Sequence, residues 1–389
     1  MTQSQDISAV GRRHLQNDSY GVAAFCLYRA IHERPADAGA WNGLVLALSL
    51  MRKEYDTQTV LARYALQPQL PYDKQMMPIA FMMYRNSPPA MIGWARAMAG
   101  RPGTTAQEKM SFQSMAVDIE ESYRKLVEER GEEALKAQGM LTLEEFAERK
   151  IELDWVKQGA VDTLFAQAEE WLKDDDTVLT AVRMLCMLPD ARSERLLRRV
   201  CRDEGIPGKM RTHALLALRW LGVRGNVRLH KLGESFVIDL NEPKPELTIS
   251  VPAAYKPALD RMSLWIAKEL GKVTPEEYES FASTEEAQLP EELAAKVKEA
   301  DVPGILQEVV HTVIRSAYDE YYPLVPGIKG YRNWSNAFLI IMKEYVEASG
   351  GTWSYGTLEQ DEQAVLHRNW LLSATPDFHA QIAANRQKA

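Results

Sequence analysis

Four arginines between residues 195 and 202 have the spacing of a single helical face. They lie at positions i, i+3, i+4 and i+7 and are Arg195, Arg198, Arg199 and Arg202. The positions between them are Leu, Val and Cys, which predicts an apolar opposite face on the same helix. Guanidinium groups donate paired hydrogen bonds to carboxylates and phosphates. The spacing therefore predicts an anion-binding surface, and we add the nearby Arg211 to its candidate residues.

The distribution of charge leaves two interpretations of this arginine face open. The chain of 389 residues has a formal net charge of −8, yet the segment 192–231 holds eleven Lys or Arg and three Asp or Glu. The segment 274–301 is its counterpart, with nine acidic residues and two lysines. The basic segment either binds a nucleic acid or another polyanion, or it pairs with the protein's own acidic helices.

The sequence contains no combination of residues that is typical of a catalytic or metal site. The seven histidines are scattered, and the three cysteines are widely spaced among apolar neighbours. Glycine-rich phosphate loops and HExxH, CxxC and GxSxG motifs are absent. Paired glutamates occur at predicted helix starts, where the helix dipole already favours them. We therefore predict no enzyme activity, no catalytic residue, no metal site and no cofactor.

The first hundred residues contain a pattern of helix pairs that recurs after about 34 residues. Its first copy consists of Ile7, Gly11, Tyr20, Ala23, Ala30 and Pro35. The second copy consists of Trp41, Leu44, Tyr55 and Ala65. A unit of this length cannot bury its apolar face alone, so the period predicts an α-solenoid of stacked helix-turn-helix repeats. These residues resemble the tetratricopeptide repeat (TPR), and a third pair at about 72–99 has the length without the motif.

The TPR resemblance implies a groove lined by the first helix of each pair, where a peptide or partner protein binds. The positions that match the lining of this groove are Ser8, Arg12, Leu15, Asn42 and Leu46. The chaperone-type members of the family capture a carboxylate with Lys and Asn where this chain has Ser8 and Arg12. The resemblance therefore implies a groove without that carboxylate clamp.

A second periodicity of about 33 residues follows at about 177–225 and resembles HEAT repeats. Three pairs of small or aliphatic residues align across it: Ala181 with Ala214, Leu185 with Leu218, and Leu188 with Leu221. Both resemblances imply the same all-α architecture of stacked helix pairs. An enzyme built on a HEAT-like scaffold remains a minor alternative.

The remaining segments predict long helices at 104–175 and a helical C-terminal region after a short β excursion. The β-prone segments 234–240 and 247–251 flank a turn-rich stretch, which predicts a short hairpin. The residues Ile305, Val309, Val313, Ala317 and Tyr321 recur every four positions and predict one amphipathic helix. We predict three domains: 1–100 TPR-like, 101–232 with long helices and HEAT-like repeats, and 233–389 helical.

These patterns predict a non-catalytic interaction scaffold or adaptor that binds a protein or peptide partner along the helical groove. Nucleic-acid binding through the segment 192–231 is the alternative. No apolar run approaches the ~18 residues that span a bilayer. The polar N-terminus lacks the pattern of a secretory signal, so we expect a cytoplasmic protein without membrane partners.

Overall fold

The computed structural model describes residues 6–300, 302–358, 361–380 and 382, and the prediction of an all-α fold is confirmed for them. The chain forms two compact units. The first contains the residues up to Ile206 together with His213–Arg228, and the second contains Pro207–Thr212 together with the chain from Leu229 onward. No described helix is both long and apolar enough to cross a membrane.

The first unit is built from thirteen complete helices within its described residues. They are α1 Ile7–Gln16, α2 Tyr20–Glu33, α3 Ala38–Leu50, α4 Glu54–Ala65, α5 Met76–Tyr84, α6 Pro88–Ala99, α7 Ala106–Arg130, α8 Glu132–Ala137, α9 Leu143–Glu148, α10 Glu152–Lys157, α11 Val161–Trp171, α12 Val178–Leu185 and α13 Ala191–Val200. Helix α14, Gly208–Trp220, and strand β1, Asn226–Lys231, each contribute residues to both units.

The second unit contains strand β2, Glu234–Asp239, a short 3₁₀ turn at Ala253–Tyr255 and six helices within its described residues. These helices are α15 Lys256–Glu269, α16 Pro275–Ala282, α17 Glu291–Glu299, α18 Gly304–Tyr321, α19 Tyr331–Ala348 and α20 Glu362–Ser373. Helix α15 packs on α16, α17 and α19, and α18, α19 and α20 pack on one another. The buried centre of this bundle includes Trp334, which stacks on His367 at 3.9 Å between ring centroids.

Helices α1 to α6 are three consecutive helix pairs that pack in chain order. The first helices α1, α3 and α5 contact one another in that order, and α4 contacts α6. Helix α9 covers the second-helix side by packing on both α4 and α6. Close packing of the first pair depends on Gly11, because a Cβ at this position would lie 2.6 Å from Leu27 Cγ. Because α9 packs on α4 and α6, it does not cover α1, α3 and α5, and a groove can lie along these first helices.

Local sequence signals set several of the helix starts. Thr142 accepts from the backbone N–H of Glu145, and the Glu145 carboxylate accepts from the N–H of Thr142, which is the capping box that the sequence predicts. Thr274 and Glu277 form the same box at the start of α16. Only α7 is long in the region 104–175, because Gly131, Gly139 and Gly159 have positive φ and separate shorter helices.

The β excursion is present, but its strands differ from the predicted pair. Strand β2 pairs with β1, which precedes it, through a tight turn at Leu232 and Gly233, where both φ angles are positive. The segment 247–251 forms no strand. Backbone carbonyls in it and just before it instead accept hydrogen bonds from side chains of α18. The carbonyl of Ser250 accepts from Arg315 at 3.0 Å, and that of Glu246 accepts from Tyr318 at 2.7 Å.

Helix α18 is present as predicted, but its buried face is displaced from the predicted stripe. Val313 and Ala317 of the predicted stripe are buried, and so are Leu306, Val310 and Ile314 beside it, whereas Ile305 at the start of the stripe is 54% exposed. A helix has 3.6 residues per turn, so residues spaced every four positions drift around it and cannot all face the core.

Candidate functional site

The five predicted groove residues lie on α1 and α3, but they differ in accessibility. Ser8 is fully buried, and its hydroxyl accepts from Arg12 Nη1 at 2.6 Å. Arg12 is exposed, and the same Nη1 would lie 3.6 Å from a Cβ at Gly39 on α3. Leu15 is half-buried, with its Cδ2 3.8 Å from the Cβ position of Gly43. Ser8 therefore positions Arg12, and Arg12 lies over the junction of α1 and α3.

Asn42 joins α3 to the entry of α5. Its Nδ2 donates to the carboxylate of Asp73 and, at 3.3 Å, to Oε1 of Gln75. Asn42 and Leu46 belong to the narrow stripe of α3 that is not buried, and Leu46 is 36% exposed. The hydrogen bonds of Asn42 therefore connect this exposed stripe of α3 to the residues just before α5.

Further large apolar side chains are exposed on α3, α5 and α7, and none of them was predicted to line the groove. They are Leu50 on α3 at 38%, Phe81 on α5 at 43%, Met82 on α5 at 50%, and Met110 and Val117 on α7 at 64% and 62%. Phe81 follows Leu46 by about one repeat period. The third helix pair lacks the TPR motif, so its register could not be assigned; the only signal was the period itself.

Three acidic side chains at the starts of α1, α5 and α7 are already engaged. Asp6 accepts from the backbone N–H of Ser8 and caps α1. Asp73 binds Asn42 and accepts from the N–H of Gln75 at 2.9 Å. Glu108 forms the capping box of α7 with Thr105, and these hydrogen bonds lower the pKa of its carboxyl.

Two lysines near the starts of α5 and α7 are free of ion pairs with the residues that the structure describes. Lys74 and Lys109 are exposed and form no ion pair within the described part of the chain. The charge of Lys74 contributes to the lowered pKa of Glu108 after the hydrogen bonds from Thr105 and the effect of burial. The exposed apolar stripe is therefore accompanied by positive charge that remains available to a ligand.

The four candidate arginines of the basic face are only partly engaged, and Arg211 differs from them. Arg198 Nε donates to Glu194 Oε1 at 2.8 Å. Arg195, Arg199 and Arg202 are exposed and form no ion pair among the residues that the structure describes. Arg211 is buried, and its Nη1 donates to the carbonyl of His230, so its charge is not presented on a surface.

A cleft of about 390 Å³ opens beside α2, α4 and α10 in the first unit, and its polar wall is an ion pair. Arg63 donates through Nη1 and Nη2 to both oxygens of Asp154, at 2.9 and 2.8 Å. Tyr28 donates its hydroxyl to the same carboxylate. Burial by itself would raise the pKa of Asp154, but the hydrogen bonds from Arg63, Ile151 and Tyr28 lower it to about 2. These bonds use both carboxylate oxygens, so this wall fastens α10 to α2 and α4.

Two other clusters of buried charged side chains lie one in each unit. Lys53 lies 2.9 Å from Asp56 and 3.4 Å from Glu152, and burial raises the pKa of Asp56 to about 6. Lys231, in the second unit, is 1% exposed, and burial lowers its pKa to about 7. Its Nζ donates to Thr212 Oγ1 at 2.7 Å and to the carbonyl of Asp319. Within the described residues, no group of His, Cys, Asp and Glu side chains is arranged to hold a metal ion.

Comparison with known proteins gives no relative. No protein-family model, no curated protein and no solved structure matches the chain.

Proposed function

We propose that this chain is a non-catalytic interaction scaffold whose TPR-like N-terminal helices bind a peptide along the first helices of the pairs. The observation that carries the proposal is the set of exposed apolar side chains on α3, α5 and α7. Its members are Leu46, Leu50, Phe81, Met82, Met110 and Val117, each at least 36% exposed. Most of the other apolar residues of α3 are buried.

Exposed apolar side chains that follow one another over several helices are typical of a binding surface. An isolated exposed leucine needs no explanation, because much of any protein surface is apolar. Here the residues recur at about the repeat period, from Leu46 to Phe81, on the side of the array that α9 does not cover. A peptide whose apolar side chains cover Leu46 and Phe81 would remove both from water.

The charges select the class of peptide. Asp6, Asp73 and Glu108 cap helix starts or bind Asn42, while Lys74 and Lys109 present exposed positive charge and Arg12 adds an exposed guanidinium 4.0 Å from Asp6. The groove therefore complements a peptide that combines aliphatic or aromatic anchors with flanking Asp or Glu. Asn42 Nδ2 binds Asp73 and Gln75 Oε1, which leaves Asn42 Oδ1 and Gln75 Nε2 for hydrogen bonds to peptide backbone.

The second periodic region, at about 177–225, bears on the scaffold part of this proposal and not on the peptide. Ala181, Ala214, Leu185 and Leu218 are fully buried and Leu188 is buried, whereas its aligned partner Leu221 is only half-buried. All three cysteines have free, buried thiols, which fits a reducing compartment, and we assign the scaffold to the cytoplasm.

Selection of peptides from a random library tests the proposal. A phage library of random twelve-residue peptides is panned on the immobilised full-length chain at about 0.1 M salt, where surface charges are only partly screened. We expect enriched sequences with two or more large apolar residues and neighbouring Asp or Glu. Absence of enrichment over the bare support, or enrichment of basic sequences, contradicts the proposed groove.

A further inference from the structure

We propose that the exposed side of α13 is a second binding surface, which contacts the phosphate backbone of a nucleic acid. We define this basic stripe as Arg195, Arg199 and Arg202, with Arg198 at its edge. The stripe is separate from the peptide groove, and the inference does not depend on it.

The helix α13 is anchored so that its arginines cannot turn inward. Asp190 caps it by accepting from the backbone N–H of Arg192 at 2.8 Å. Leu196, Leu197 and Val200 are buried on the opposite side. Because this face is fixed in the core, the guanidinium groups of Arg195 and Arg199 are held on the solvent side.

Two half-buried arginines beside Arg195 and Arg199 are held by partners in the protein. Arg192 donates to Asp190 at 3.0 Å and to Asp162 at 2.7 Å, and its guanidinium lies 4.0 Å above the ring centroid of Phe165. Arg198 is paired with Glu194 and donates to the carbonyl of Asn226 at 3.4 Å. Both are therefore held by partners within the first unit.

The stripe residues form no ion pair of this kind within the described residues, although the charge of Arg195 contributes, after the effects of Arg192, to the lowered pKa of Asp190. Arg195 and Arg199 have no ion pair within the described residues, and Arg202 uses its Nε on the carbonyl of Arg198 at 3.0 Å. The neighbouring Asp203 accepts from the backbone N–H of Gly205 at 3.0 Å. Like charges one helical turn apart repel each other, so a stripe of this kind is unfavourable unless an anion binds it.

Distances along the helix favour an extended anion with several charges. Residues 195 and 199 are separated by about 6 Å along the axis at the rise of an α-helix, and Arg202 follows in the turn just after the end of α13. Arg228, two residues beyond Asn226 on β1, is also exposed and without an ion pair in the described chain. A single small anion would neutralise only part of this row.

The described segment 191–228 exposes no large apolar side chain, which favours a nucleic-acid backbone over a peptide as the ligand. No large apolar side chain between residues 191 and 228 is among the exposed ones of the described chain. A peptide partner would have little apolar surface to cover here, whereas phosphate contacts supply sequence-independent affinity by charge alone. With no exposed aromatic side chain for base stacking in this described segment, the expected binding is insensitive to base sequence.

Fluorescence anisotropy with a labelled 20-base-pair DNA duplex tests this inference on the full-length chain. We expect binding at 25 mM NaCl that weakens with salt, with a slope of log K against log salt of about −3 for three phosphate contacts. The triple variant Arg195→Gln, Arg199→Gln, Arg202→Gln is expected to lose at least about tenfold in affinity and most of the slope. A circular dichroism melt checks that this variant folds like the wild type.

The matched control removes three exposed cations elsewhere in the first unit, with Arg124→Gln, Arg130→Gln and Lys157→Gln. It changes the net charge equally and is expected to keep the duplex affinity within about twofold. An equal loss in both triple variants, no binding by the wild type at 25 mM NaCl, or tighter binding of poly-L-glutamate than of the duplex would each overturn the inference.

Discussion

Asn42 on α3 donates hydrogen bonds from its side-chain amide to the carboxylate of Asp73 at the entry of α5. The same nitrogen lies 3.3 Å from Oε1 of Gln75. These contacts join the first helices of two successive pairs on their uncovered side. Leu46 lies one turn farther along α3 and is 36% exposed. The relationship explains how separate helix pairs present one continuous stripe, which is what the proposed peptide groove requires.

Glycines that permit close packing of helices are the first test of the helix array. A Cβ at Gly21 on α2 would lie 1.8 Å from the carbonyl oxygen of Cys186, which is backbone and cannot yield easily. We expect Gly21→Ala to lower the free energy of unfolding of the first unit by about 3 kcal/mol. Denaturant unfolding followed by circular dichroism measures this change.

Gly39 supplies the matched control for Gly21. Its Cβ position lies 3.4 Å from Asp37 Oδ1 and 3.6 Å from Arg12 Nη1, which are ordinary contact distances. Gly39→Ala should therefore be neutral, or stabilising by up to about 1 kcal/mol through helix propensity. Equal destabilisation by both substitutions would show that α2 does not approach Cys186 closely.

The ion pair of Arg63 and Asp154 predicts a specific pH dependence. The pKa of Asp154 is lowered to about 2 from 3.8, so its contribution is complete above pH 3.8 and is lost as the pH falls through 2. We expect Asp154→Asn to cost about 2 kcal/mol at pH 7, and the difference from wild type to shrink toward zero near pH 2. Unfolding free energies measured at several pH values test this.

Asp118→Asn on the exposed side of α7 is the control for Asp154. Asp118 is exposed and forms no ion pair within the described residues. Its substitution should change stability by less than about 0.5 kcal/mol at every pH. A pH-independent cost of Asp154→Asn would mean that the side chain acts through packing rather than charge.

The substitution of Lys231 is expected to stabilise the second unit, whereas that of Asp154 destabilises the first. Burial lowers the pKa of the Lys231 ammonium to about 7 from 10.5, so between these values the unfolded chain binds more protons than the native chain. Stability of the wild type should therefore rise with pH over this range, because the charged form is unfavourable when buried. Lys231→Met is expected to remove this rise and to stabilise the unit by about 1 to 3 kcal/mol at pH 7.

Thermal melts of wild type and Lys231→Met at pH 7 and pH 9.5 distinguish the outcomes for Lys231. Thr212 donates to the carbonyl of Asp319 at 2.7 Å without the lysine, so the variant keeps one of the local hydrogen bonds. Loss of stability at both pH values would show that the hydrogen bonds from Lys231 outweigh the cost of burying its charge.

Local signals were predictable from the sequence, whereas pairings between distant residues were not. The capping boxes of Thr142 and Thr274 depend on residues three positions apart, and both are confirmed. The pair Arg63 and Asp154 joins residues 91 apart along the chain, and nothing in either local sequence indicates the partner. The strand partner of β2 was missed for a related reason, since carbonyls near 247–251 bind side chains of α18 instead.

The groove shows the same limit. Arg12 and Leu46 followed from the TPR resemblance and are exposed, whereas Ser8 is buried beneath Arg12. Phe81 and Met110 were not assigned, because the third pair and α7 carry no repeat motif that fixes which residues face outward. Exposure in these helices depends on packing with their neighbours, which only the structure provides.

The most direct test of the scaffold proposal is the affinity of a peptide selected on the wild-type chain for two groove variants. Leu46→Glu and Phe81→Glu each place a negative charge on the apolar stripe, and we expect each to weaken binding of that acidic peptide at least tenfold, about 1.4 kcal/mol. Ile305→Glu and Leu366→Glu change residues of the second unit that are more exposed, at 54% and 57% against 36% for Leu46 and 43% for Phe81, and should leave the affinity unchanged. Unchanged affinity in both groove variants, measured by fluorescence anisotropy, would contradict the proposed groove.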